Sequence, residues 1–284
     1  MALLEAPRRL ANREEESRRL GEGMLNAVAA MWKFRYFLLS LVRLDLRLRY
    51  KRSFVGLGWA IIQPAATAAA YVIVFGGVLG QSSPTYTASL LVGLAVWGFF
   101  RESAVSGCLS IVSHESYIRQ CPLPFGLYSL RFVLGYAIQA IFALGVAVAA
   151  VICVDGHANK LLLLWAILPS LVLIFIAGWA VATTFSFAQV YFHDTKHLLE
   201  IGAQILFFLT PIVYPPSLLV GKGLGWVARF NPVNVYLELV RYPLINGELP
   251  QAKLYVYGIA CTAALFTMAV AISSYGQKKA EFHL

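Results

Sequence analysis

The stretch "LRLRYKRSFVGLGWAIIQP", residues 46–64, sets Arg47, Arg49, Lys51 and Arg52 directly before a long apolar run. Such a cluster either forms a solvated patch for an acidic partner or holds the start of a membrane segment on the cytoplasmic side. A second group, His193, Asp194 and His197, lies in "VYFHDTKHLLE". Two imidazoles four apart can share one helix face and a metal, but a polar loop accounts for the same residues. Other chemistry is defined by what is missing. The chain has no GxxxxGK[ST] to cradle phosphates, no HExxH and no GxSxG. Cys108, Cys121, Cys153 and Cys261 sit in or beside apolar runs without CxxC spacing, and read as small buried hydrophobes. No catalytic, cofactor-binding or metal-ligating set is expected, and the chain is read as a non-enzyme.

The elements that must position these residues are dictated by composition. The 284 residues are 59% hydrophobic and 13% charged, with a mean hydropathy of +0.70. Soluble domains carry about 25% charged residues, so most of this chain belongs in lipid. The net charge of +9 is uneven, with twelve Lys and Arg against six Asp and Glu in residues 1–52. These cations precede a membrane segment and no nucleic-acid-binding motif accompanies them, so a nucleic-acid partner is not expected. No secretory signal is visible, and residues 1–30 read as a cytoplasmic tail.

Periodicity then predicts an all-α membrane protein. Over residues 31–52, Phe34, Phe37, Leu38, Leu41, Leu44 and Leu48 share one helix face, while Arg43, Arg47 and Lys51 recur every four residues on another. This predicts an amphipathic interface helix lying on anionic headgroups. Six transmembrane helices are expected within 53–275, at about 54–80, 86–110, 127–154, 161–188, 198–214 and 254–275. The segment 215–251 is too broken by Gly and Pro to span, and is expected to form re-entrant helices before the last span. Residues 276–284 read as a second tail. Lys and Arg counts put both termini, the 111–126 loop and the 189–197 loop on the cytoplasmic side. Aromatic residues crowd the spans. Trp97, Phe99, Phe100, Phe207, Phe208 and Tyr214 are ordinary lipid-facing residues or rings lining a pore, where weak repeated stacking would let a long polymer slide.

Three stretches, "RYKRSFVGLGWAIIQP", "FHDTKHLLEIGAQILFFLTPIVYP" and "RFNPVNVYLELVRYPLING", together resemble the membrane subunit of ATP-binding-cassette polysaccharide exporters, the family for O-antigen, capsule and teichoic acid. The likeness covers about residues 31–275. It implies a multi-pass homodimer in the bacterial inner membrane, moving an undecaprenyl-diphosphate-linked glycan. A separate ATPase subunit, present in two copies, would bind ATP and Mg. It further implies ATPase contacts at Glu115 and Arg119. "IRQCPLPFG" departs from the family here, with Gln120 and Cys121 where a lysine and an "FP" pair are usual. Arg47, Arg49, Lys51 and Arg52 would meet either the lipid diphosphate, whose oxygens suit forked guanidinium groups, or lipid headgroups alone. Asn231, Pro232, Glu238 and Arg241 would form a re-entrant gate at the outer mouth. Two alternatives stand beside this reading: an ABC exporter permease for a drug or lipid, and a membrane enzyme of cell-envelope lipid metabolism.

Overall fold

A computed structural model describes residues 32–51, 53–76, 84–114, 125–155, 164–215 and 225–283, together with Leu218, Gly221 and Gly223. The described chain is all-α. Helices α1 (Arg35–Tyr50), α2 (Trp59–Tyr71), α3 (Pro84–Val105), α4 (Phe125–Asp155) and α5 (Ile167–Tyr191) come first. They are followed by α6 (Thr195–Leu209), α7 (Gly225–Phe230), α8 (Pro232–Arg241) and α9 (Ala252–His283).

Among the described residues, four helical stretches are long and apolar enough to cross a membrane: Thr85–Leu109, Phe125–Ile152, Leu164–Tyr191 and Ala252–Ser273. This corrects the expectation of six. Among the described residues the first expected span holds α2, 13 residues long, continued by a π turn at Val72–Gly76, and 77–80 lie outside the described residues. The fifth holds only α6, 15 residues long. At about 1.5 Å per residue Trp59–Phe75 reaches roughly 26 Å and α6 roughly 22 Å, short of the ~30 Å hydrocarbon core. Each is bounded by a backbone break that apolar content alone does not reveal. A 3₁₀ turn at Gly56–Gly58 precedes α2. Thr210–Pro211 ends α6, because proline offers no N–H and its ring clashes with the preceding turn.

The expected re-entrant segment is corrected as well. Its centre is α8, an internal helix with Tyr236, Leu237, Leu239 and Val240 buried. It packs against α3, α5 and α9. Asn231 starts it as a side-chain cap, its Oδ1 accepting from the Val233 N–H at 3.0 Å, and Pro232 sits at the first turn, where a missing N–H costs nothing.

Lipid tails are as apolar as leucine, so close packing and interhelical hydrogen bonds must hold such helices together. Helix α5 supplies both. Gly178 lies so near α3 that a Cβ there would come within 2.5 Å of the Phe99 ring, and one at Gly107 would meet Ala182 at 2.7 Å. Ser129 and Thr183 hydroxyls bond at 2.7 Å, and Trp179 Nε1 donates to the Gly126 carbonyl at 3.0 Å. Tyr236 and Thr262 join α8 to α9 at 2.9 Å.

Candidate functional site

A cleft of about 430 Å³ opens between α2, α3, α4 and α6. Its rings come from Trp59 and Tyr71 of α2, Trp97 and Phe99 of α3, Tyr136 of α4 and Phe207 of α6. Phe207 is the hub, its centroid 5.8 Å from Trp97 and 6.0 Å from Tyr71. Between the rings stand the amides of Gln63, Gln139 and Gln204 and the hydroxyl of Thr67, the last donating to the Gln63 carbonyl at 2.8 Å.

One end of the cleft carries charge. Arg101 Nη1 donates to Glu102 Oε1 at 2.5 Å, and Ser106 Oγ donates to Glu102 Oε2 at 2.7 Å. Both members of this pair line the cleft. The sequence presents Arg101–Glu102 as a costly pair inside an apolar run, and the structure gives each charge a partner. Arg49 lies over the face of Tyr136, its guanidinium carbon 4.7 Å from the ring centroid, which brings α1 beside the cleft wall.

The cleft offers groups suited to recognition. Ring faces offer flat apolar contact, and each glutamine offers two donors and an acceptor. Among the described residues, no three His, Cys, Asp or Glu side chains converge as a metal site. His197 instead faces Glu200 at 3.6 Å, as Lys196 does at 3.8 Å. Cys108 and Cys261 are free thiols.

The residues singled out in the sequence divide. Trp97, Phe99 and Phe207 line the cleft. Phe100 instead packs on Tyr236, centroids 5.1 Å apart, in the core. Phe208 is 59% exposed on the other side of α6, and Tyr214 donates to the Phe208 carbonyl at 2.6 Å. Arg47 and Lys51 are exposed on and after α1, with Arg49 against Tyr136. Arg52, Glu115 and Arg119 lie outside the described residues.

Asn231 and Arg241 hold backbone, and Glu238 pairs with Arg241. Arg241 is buried, and its Nη1 donates to the Pro211 carbonyl at 2.8 Å, while Nη2 reaches Ile212 O at 3.2 Å and Ser89 O at 3.3 Å. Glu238 stands 3.7 Å away as counterion. Asn231 Nδ2 donates to Thr210 Oγ1 at 2.7 Å. The break after α6 is thereby satisfied by side chains of α8 and its cap.

Sequence reasoning passed over Trp59, Gln63, Thr67, Tyr71, Tyr136, Gln139 and Gln204. A signal was present. "IIQPA", "AIQAI" and "GAQIL" each hold one glutamine inside an apolar run, and an amide in lipid needs a partner or a polar cavity.

An aromatic and amide-lined cleft among long apolar helices suits a membrane permease. The comparisons agree: residues 36–245 match the ABC-2 type transporter family, and the chain belongs to it. It is similar to an O-antigen export system permease protein RfbA of Klebsiella pneumoniae, 27% identical over 221 residues, covering 77% of this chain and 85% of that protein. It is also similar to the permease of the same name from Myxococcus xanthus, 25% identical over 235 residues, covering 81% and 88%.

Proposed function

We propose that this chain is the membrane subunit of an exporter carrying an undecaprenyl-diphosphate-linked glycan of O-antigen type across the bacterial inner membrane. It works as a homodimer whose two copies of a separate ATPase subunit bind ATP and Mg. The observation that carries this reading is the cleft. Rings at Trp59, Tyr71, Trp97, Tyr136 and Phe207 interleaved with Gln63, Gln139 and Gln204 suit sugars, whose C–H faces stack on aromatics and whose hydroxyls exchange hydrogen bonds with amides. A purely apolar cargo would leave the amides without partners.

Sidedness follows the same reading. Asp45 of α1, Arg131 of α4 and His114 meet at one end of the bundle. Gln189 tightens the α5–α6 elbow near it, donating to His193 O at 2.6 Å and accepting from Lys196 N at 2.8 Å. Cys108 Sγ lies 4.0 Å from Gln189 Oε1 and ties that elbow to the turn after α3. This end gathers the basic helix and the 189–197 turn, so it is assigned to the cytoplasm. Arg47, Arg49, Lys51 and Arg52 would meet the diphosphate there, and Glu115 and Arg119 the ATPase.

The test deletes the chain from its host and follows radiolabelled lipid-linked glycan on both faces of the inner membrane. Accumulation on the cytoplasmic face with none at the surface supports export. Normal surface glycan in a host with no second exporter overturns it.

A further inference from the structure

The interface helix touches the bundle along a narrow line. Leu38 and Val42 are buried, while Phe37, Leu44 and Leu48 of the same helix are 47%, 48% and 54% exposed. The apolar stripe read from the sequence is therefore split, and Asp45 falls on the protein-facing side of it.

Asp45 is held there by a fork. Arg131 of α4 donates from Nε to Asp45 Oδ2 at 2.6 Å and from Nη2 to Oδ1 at 2.5 Å. Its remaining arm, Nη1, meets His114 Nε2 at 2.9 Å. The other imidazole nitrogen, Nδ1, lies 3.0 Å from the Ser110 carbonyl and 3.0 Å from Ser113 Oγ. A carbonyl only accepts, so Nδ1 carries the proton and Nε2 offers its lone pair to the arginine. The ring is seated edge-on to Phe132, centroids 5.6 Å apart, and beside Tyr128 at 5.9 Å. The Arg131 side chain is only 11% exposed.

We propose that Asp45, Arg131 and His114 form a junction that sets the tilt of the interface helix α1 against span α4, and that releases it when His114 takes up a proton. A neutral imidazole completes the arginine's shell. A protonated one loses the accepting lone pair and puts a second cation against the guanidinium. The charged groups facing His114 are Arg131 from α4 and Asp45 from α1, with the Tyr128 phenol as a further titratable neighbour. Burial first, and the Arg131 cation second, hold the imidazole below its ordinary range, against smaller opposing effects of the Ser110 hydrogen bond and Asp45. The junction is thus closed at neutral pH. A clean bidentate fork is a geometry lysine cannot reproduce. The inference concerns how the chain holds its own helix, and it stands whatever the cargo.

The experiment places spin labels, through unnatural amino acids, at the exposed positions Leu39 of α1 and Ile141 of α4. The full chain is reconstituted in vesicles of phosphatidylethanolamine and phosphatidylglycerol with unlabelled chain in excess. Distances are read by pulsed electron resonance at neutral pH and in acid well below the ordinary imidazole value of about 6.5, since the folded value lies beneath it. The native chain should give one narrow distance at neutral pH and a broad distribution in acid. Arg131→Met should be broad at both, and His114→Gln, whose amide oxygen still accepts from Arg131, narrow at both. A native distance that stays narrow in acid overturns the proposal, and so does a folded Arg131→Met chain with the native distance. If Arg131→Met does not fold, the native chain compared with His114→Gln still decides.

Discussion

Arg241 Nη1 donates to the carbonyl oxygen of Pro211 at 2.8 Å, across thirty residues of sequence. The proline ends α6, and the arginine from α8 donates to carbonyls of the turn that follows. Arg241→Met should destabilise the protein by about 3–5 kcal/mol, the cost of stranding one partner of a buried ion pair, here Glu238. Arg241→Lys should recover little, since one ammonium cannot span the carbonyls of Pro211, Ile212 and Ser89. Thermal unfolding of the purified chain in detergent reads both.

Phe207 and Phe208 are neighbours with opposite surroundings, one in the cleft and one facing outward. On the proposed function, leucine at Phe207 or at Trp97 should lower glycan export about twofold to tenfold, the worth of one aromatic contact. Leucine at Phe208 should leave export near the native level. Surface glycan, measured at matched membrane levels of each variant, separates the two positions.

Gly178 permits the approach of α5 to α3. In Gly178→Ala the new methyl would meet Phe99 Cε1 at 2.5 Å and Ser103 Oγ at 3.1 Å. We expect a loss of about 1–3 kcal/mol from overpacking, read as a lower Tm. Phe99 lines the cleft, so displacement of its ring should also reduce export among the chains that fold.

His114 predicts an acid-sensitive stability. Its folded value lies below the ordinary one because burial disfavours the cation, so the unfolded chain binds the proton more readily. Stability is therefore full above about pH 6.5, the unfolded value, and declines as pH falls from there toward the folded value. Tm measured across that interval should fall in the native chain and less in His114→Gln. Equal slopes would mean that other groups carry the acid response.

Much was legible in the sequence because lipid imposes simple rules. Spans at 86–110, 127–154, 161–188 and 254–275 coincide with long helices, since an apolar run of that length has no other low-energy arrangement in a bilayer. The spans expected at 54–80 and 198–214 failed for a different reason. Hydropathy counts apolar residues but not backbone breaks, and Gly56–Gly58 and Thr210–Pro211 shorten those helices.

The cleft was half legible. Trp97, Phe99 and Phe207 stood out by type, and so did Phe100 and Phe208, because an aromatic residue in an apolar run carries no mark of the direction it faces. Gln63, Gln139 and Gln204 were visible as lone amides, but they lie far apart in the chain and only helix packing brings them to one cavity.

By itself the sequence determined a multi-pass, all-α membrane protein with a basic helix at α1, because hydropathy and charge are sums over local residues and the bilayer acts on those sums, while the likeness to exporter permeases rested on its motifs. Tertiary structure alone decided that Arg241 serves the Pro211 break, that Asp45 finds Arg131 across 86 positions, and which rings share a cavity. These are pairings between distant residues, set by how helices cross, and no local pattern encodes a crossing.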